Sequence, residues 1–194
     1  MSGFGPNDLI ECYRRGIFPM ADSRDAASFY LMEPENRAVF PIETFQPSRS
    51  MLKFARTTNL TVTINQAFRQ VIKACADLRE DTWISYGIEW LYTLLHERSD
   101  AHSVEVWDGE TLVGGLYGVS QNGAFFGESM FSTRTNASKL ALIHLIDRLR
   151  TRGFTVLDAQ FMTDHLASLG AVEITRAQYR ERLTAALSLN VAFD

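Results

Sequence analysis

A chain of 194 residues, 46% hydrophobic and 22% charged, has the make-up of an ordinary globular protein with a core of its own. Its formal net charge of -4 argues against tight, sequence-independent wrapping of nucleic acid, which needs many phosphate contacts, but leaves room for a local basic patch. No apolar run has the length of a membrane span, and Met1 to Asp8 lack the basic and apolar regions of an export signal, so a cytoplasmic, membrane-free protein is expected.

From the N-terminus, Asn7 caps a helix over residues 7–15 that Gly16 stops, and Ile17-Phe18-Pro19-Met20 leaves it extended. Short apolar runs around 29–32 and 38–42, split by Glu33-Pro34-Glu35-Asn36, predict small strands of an N-terminal subdomain. Ser48 then caps a helix to about Arg56, Leu60 to Ile64 alternates as a strand, and Asn65 caps a longer helix. In that helix Phe68, Val71, Ile72 and Cys75 fall at i, i+3, i+4 and i+7 and define one buried face. A further helix near 86–98 turns Ile88, Leu91, Tyr92 and Leu95 inward.

From His102 the period changes to two, with a hairpin turning at Asp108-Gly109 and another strand at about 124–131 after Asn122-Gly123. Asn136 opens a helix to Arg152, stopped by Gly153. A strand over 154–160, a short helix over 164–169, a strand over 171–175 and a closing helix over 177–187 complete the chain. This order predicts an α+β fold, a mixed sheet with flanking helices compatible with the N-acetyltransferase type. A small subdomain over 1–47 would sit beside a catalytic domain over 48–194.

Cys12 and Cys75 lie far apart without C-x-x-C spacing, and the four histidines form no ligand pattern, so neither a disulfide framework nor a metal site is expected. Candidate basic clusters are Arg14 with Arg15, Arg49 with Lys53 and Arg56, and Arg148 with Arg150 and Arg152. Lys139 at a helix start faces either a phosphate or solvent. Gly114-Gly115 and Gly118 mark either the close approach of a ligand or a bulge, in a segment with no phosphate-cradling pattern.

Asp158 and Gln160 are two apart in the expected strand, so their side chains share one face. Beside the apolar run Phe154-Thr155-Val156-Leu157 such a pair demands partners. Either the two bond one another and order the sheet, or they orient a substrate amine for acyl transfer. Glu128, inside Phe125-Phe126-Gly127-Glu128-Ser129-Met130-Phe131, likewise needs a neighbouring arginine or a cationic ligand.

Y-R-R-G-I-F-P-M at 13–20, P-E-N-R at 34–37, T-W-I at 82–84, H-S-V-E-V-W at 102–107, G-E-S-M-F-S at 127–132, the D-x-Q of Asp158 and Gln160, and H-L-A-S-L-G at 165–170 form a specific combination. Together they resemble the leucyl/phenylalanyl-tRNA-protein transferases over nearly the whole chain. The resemblance implies tRNA-dependent transfer of Leu or Phe, with Met as a further candidate, to proteins or peptides beginning with Arg or Lys, which marks them for N-degron degradation. It implies Asp158 and Gln160 as the catalytic acid and amide and Glu128 as the active-site glutamate. Trp83 would bind the 3' aminoacyl-adenosine end of the tRNA, Met130 and Leu145 would form the aliphatic pocket, and Ser129 would join the substrate-binding residues. Two departures stand out: Leu31-Met32 where many relatives carry tryptophan, and D-A-Q for the commoner D-C-Q.

An aminoacyl ester is already activated, so transfer demands no cofactor, ATP or metal, only a neutral and aligned amine. Two other readings compete with it. An acyl-coenzyme A N-acyltransferase would need an R-x-x-G-x-G/A turn, which the chain lacks, and an adaptor would bind basic N-termini through Glu128 without chemistry.

Overall fold

The computed structural model describes residues 3–194. Helix α1 (Pro6–Arg14) begins at a proline, whose missing N–H costs nothing in the first turn, so the cap is Gly5 rather than the expected Asn7. The Gly5 N–H donates to the Asp8 carboxylate over 2.8 Å. Beyond it β1 (Phe18–Met20) pairs antiparallel with β2 (Tyr30–Met32) in a small two-stranded sheet.

The next strand, β3 (Asn36–Phe40), joins a different sheet. After it come α2 (Arg49–Thr57), β4 (Thr61–Ile64), α3 (Phe68–Asp77), α4 (Tyr86–Glu97), β5 (Ala101–Asp108), β6 (Thr111–Gln121) and β7 (Ala124–Ser132). The chain ends with α5 (Ala137–Arg152), β8 (Val156–Asp158), α6 (Asp164–Ser168), β9 (Val172–Thr175) and α7 (Arg176–Leu187). The large sheet runs β4-β5-β6-β7-β8-β3-β9, with β7 and β8 parallel and every other neighbouring pair antiparallel. It is the mixed sheet that the sequence predicts. The segment assigned from sequence to a small N-terminal subdomain contributes β3 to it, between β8 and β9.

Alternation along the strands divides the core between the two faces of the sheet. Phe126 of β7 and Val156 of β8 pack with Leu9 and Tyr13 of α1, Val71 and Ile72 of α3, Ile88 and Tyr92 of α4, and Tyr179 of α7. Their neighbours Phe125 and Leu157 pack on the opposite side, with Met51 of α2 and Leu140, Leu145 and Leu149 of α5. The helical stripes Phe68/Val71/Ile72/Cys75 and Ile88/Leu91/Tyr92/Leu95 are buried as expected. Among the described residues no helix is long and apolar enough to cross a membrane.

One expected cap does other work. Asn65 adopts a left-handed backbone with φ 58° and accepts the Ser103 N–H at 3.1 Å, while α3 starts three residues later. Asn136 is also left-handed, with φ 68°, and opens α5 from the N-cap position as expected, its carbonyl accepting the Leu140 N–H at 2.9 Å.

The ladder between β6 and β7 has one irregularity. Tyr117 faces Ser129 and Gly118 faces Gly127, so Glu128 is an extra residue, a bulge that re-aims its side chain. A Cβ on Gly118 would overlap the Phe126 carbonyl and the Phe125 ring. Gly118→Ala is therefore expected to cost about 1–3 kcal/mol, read as a lower urea midpoint at unchanged slope. Gly87→Ala on α4, where a Cβ meets only Ser85 Oγ at 3.8 Å, should stabilise by about 0.4–1 kcal/mol in the same measurement.

Candidate active site

Strands β7 and β8 run side by side up to the pair Phe126 and Asp158. There β7 enters its bulge and β8 ends, and a cavity of about 270 Å³ opens between the parting chains. Glu128, Asp158 and Gln160 line its polar end, so the three polar residues singled out in the sequence come together.

Asp158 is completely buried, and its carboxylate is fully occupied. Arg37, on the neighbouring strand β3, donates Nε to Oδ1 at 2.8 Å and Nη2 to Oδ2 at 2.6 Å. Tyr179 of α7 donates to Oδ2 at 2.8 Å, and the Gln160 backbone N–H donates to Oδ1 at 2.9 Å. Arg37 is itself only 1% exposed; its Nη1 reaches the Gly16 carbonyl at 2.7 Å. Its guanidinium carbon lies 4.8 Å from the centre of the Phe18 ring and 4.3 Å from that of Tyr179. Burial works against its charge, but Asp158 more than restores it, and the guanidinium holds its proton more firmly than usual.

The sequence expectation for Gln160 needs correction. The strand stops at Asp158, and Gln160 takes a left-handed backbone with φ 57°, so the two side chains do not share a strand face. Asp158 meets Gln160 through the main chain instead. The Gln160 carbonyl accepts the Ala38 N–H at 3.1 Å, and these bonds offset the roughly 1–3 kcal/mol that such a backbone costs a residue with a side chain. The result aims the carboxamide at Glu128, with Nε2 donating to Oε1 at 3.1 Å.

Glu128 finds no arginine. Among the described residues no cationic side chain lies within salt-bridge distance of it, because Arg37 is committed to Asp158. Its partners are neutral: Gln160 on Oε1 and the Tyr92 hydroxyl on Oε2 at 2.8 Å, with the Tyr13 hydroxyl bonded to that of Tyr92 behind it. Burial pushes the Glu128 carboxyl up to about 7, against the pull of Tyr13 and Tyr92. Burial and then the Glu128 charge raise both tyrosines well above their ordinary values.

Away from this polar end the cavity is apolar. Met130 and Leu145 line it as expected, joined by Leu116, Leu142 and Leu157, and Trp83 and Arg79 also border it. Ser129 lines it too, its hydroxyl, like that of Tyr117, buried without a hydrogen-bond partner among the described residues. Leu31 and Met32 lie on β2, but Phe18 and Met20 on β1 are the residues of that small sheet that border the cavity. Arg37, Tyr179 and Tyr92 carried no role from sequence. The signals for them were the inward face of the helix for Tyr92, and for Arg37 its place at the end of P-E-N-R beside the apolar Ala38-Val39-Phe40. Among the described residues no three His, Cys, Asp or Glu side chains gather as metal ligands would.

The family model described as leucyl/phenylalanyl-tRNA protein transferase matches residues 39–184, and the one for its N-terminal domain matches residues 4–31. The chain belongs to the leucyl/phenylalanyl-tRNA protein transferase family. Proteins of that description from Maricaulis maris (strain MCS10) and Phenylobacterium zucineum (strain HLK1) are each 53% identical to it. The alignments span all of this chain and 91% and 89% of theirs. Among solved structures, FemX superposes at a TM-score of 0.57 over 87% of this chain and 66% of its own, with 12% identity. That likeness is one of fold alone.

In this transferase the ion pair is buried, and neither partner can be lost without stranding the other. Arg37→Met leaves the Asp158 charge buried without its counter-ion and should cost about 3–5 kcal/mol in urea unfolding. Combining it with Asp158→Leu should recover part of that loss, because the stranded charge is gone while Tyr179 and the Gln160 N–H still lack an acceptor.

Proposed function

We propose that the transferase moves Leu, Phe or Met from the 3' end of charged tRNA to proteins that begin with Arg or Lys. The modified proteins are thereby marked for degradation by the N-degron route, in the cytoplasm where charged tRNA is made. The observation that carries this reading is a single cavity, apolar along most of its wall, that ends at a linked glutamate and glutamine.

Each part of the reaction has a surface suited to it. An aliphatic or aromatic aminoacyl side chain fits the wall of Met130, Leu142 and Leu145, and the terminal adenosine suits the Trp83 ring at the same cavity. Glu128 has no cationic partner among the described residues, which favours an acceptor whose first residue is basic. Arg49, Lys53 and Arg56 are exposed on α2 at i, i+4 and i+7, a cationic stripe suited to the phosphates of the tRNA body. A local stripe of this kind reconciles tRNA use with a net charge of -4.

The ester is the activated species, so the protein's task is placement. With Nε2 given to Glu128, the side-chain oxygen Oε1 of Gln160 is left to accept a hydrogen bond from the acceptor's amine. The amine nitrogen attacks the ester carbonyl, the carbon–nitrogen bond forms, and the bond to the ribose oxygen breaks. Asp158 acts at one remove, by fixing the Gln160 main chain.

Purified chain should transfer labelled leucine, phenylalanine or methionine from charged tRNA to an arginine-leading peptide, and leave a glutamate-leading peptide unmodified. Asp158→Ala should lower that transfer by about 10²-fold, the cost of displacing a reacting group by about 1 Å. Folded chain that shows no turnover with any of the three charged tRNAs overturns the reading.

A further inference from the structure

We infer that Glu128 is the group that takes the proton from the acceptor's α-ammonium, with Tyr92 and Tyr13 as positioning residues behind its carboxylate. This rests on the transfer reaction proposed above. An α-amine, with an ordinary value of about 7.7–8.0, is largely protonated at neutral pH and cannot attack until it gives that proton up.

Geometry eliminates the other groups at the polar end of the cavity. Asp158 is fully buried and already receives four hydrogen bonds, from Arg37 twice, Tyr179 and the Gln160 N–H, which fills the roughly four acceptor sites of a carboxylate. Gln160 is a neutral amide and carries no proton away. His165 also borders the cavity, from α6, but its ring is exposed and, among the described residues, held by no hydrogen bond. Glu128 is 8% exposed, lines the cavity, and receives one hydrogen bond on each oxygen, so each retains a free lone pair.

The surroundings suit a carboxyl that gains and loses a proton near neutrality. Tyr13 from α1 and Tyr92 from α4 favour its ionised form, as does Arg37 from β3, while burial and Asp158 from β8 oppose it. Tyr117 on β6 and Tyr179 on α7 also lie within its field, and Arg79 and His165 border the cavity. Burial dominates and leaves the carboxyl at about 7.

Protons and electron pairs balance in this step. One proton passes from the ammonium to the Glu128 carboxylate, giving a neutral amine and a neutral carboxyl. The nitrogen lone pair forms the bond to the ester carbon, and the second proton of that nitrogen leaves on the ribose oxygen as the carbon–oxygen bond breaks. Glu128 returns its proton to solvent after the product departs.

The test is kcat/KM against pH for the arginine-leading peptide, with leucyl-tRNA and the full chain. A base that must be ionised gives a limb that rises through about 7, and because neutral amine attacks without that base the rate levels off, rather than falls, above the acceptor's own value near about 8. Glu128→Gln should be at least about tenfold slower at neutral pH and lose the rising limb near 7. Its deficit should narrow as alkali supplies neutral amine. Tyr92→Phe removes a bond that favours the ionised carboxylate, so its rising limb should move to higher pH. Unfolding midpoints check that both variants fold. A Glu128→Gln profile of unchanged shape, an unmoved limb in Tyr92→Phe, or loss of the limb in His165→Gln overturns the inference. Absence of transfer by the unaltered chain at every pH overturns the transfer reading, and this inference with it.

Discussion

The buried ion pair between Arg37 and Asp158 is the constraint on which the rest of the site depends. A pair taken wholly out of water adds little net stability, but each charge makes the other indispensable. Here the pair joins four separate pieces of chain: β3, which carries Arg37, the segment 16–18 through the Gly16 carbonyl and the Phe18 ring, α7 through Tyr179, and β8 through Asp158 itself. By filling the carboxylate it also fixes the first residues beyond β8. The Gln160 backbone is held left-handed, and its side-chain amide meets Glu128.

A second device works from the opposite strand. The β7 bulge turns Glu128 out of register with β6 and toward Gln160, at the point where the parallel strands part. One carboxylate thus serves as an internal strut, saturated and fully buried, while the other faces the cavity with spare capacity. Two acids of similar chemistry acquire different tasks through their donors. Asp158 is surrounded by a charged one, and Glu128 by neutral ones within an apolar shell that makes ionisation cost more.

Much of this was legible in the sequence where the physics is local. The period-two run from His102, the i/i+3/i+4/i+7 stripe beginning at Phe68, and an acid, a glycine and aromatics packed together in F-F-G-E-S-M-F pointed to strands, a buried helix face and a glutamate in need of partners. What escaped depends on distant partners. Arg37 and Asp158 are 121 residues apart, and nothing near either one announces the other. Gln160 leaves the strand because Asp158 accepts its N–H, and the sign of φ in a non-glycine residue is not written in its neighbours. Asn65 was ambiguous for a related reason. Asparagine both caps helices and tolerates a left-handed backbone, and its bond to Ser103, 38 residues away, decided between them. The placement of β3 in the large sheet is likewise a long-range pairing, made with β8 and β9 late in the chain.

The most direct test is a crystal structure of the transferase with an amide-linked aminoacyl-adenosine, which cannot be cleaved as the ester is, and an arginine-leading peptide. The carbonyl carbon should lie beside Gln160 and Glu128, with the peptide's amino nitrogen about 3–3.5 Å from it. The bonds from Arg37 to Asp158 should stay unbroken in that complex. A complex in which Asp158 has left Arg37 to touch the substrate, or in which the carbonyl sits outside the cavity, would contradict the assignment of a strut to one acid and of the chemistry to the other.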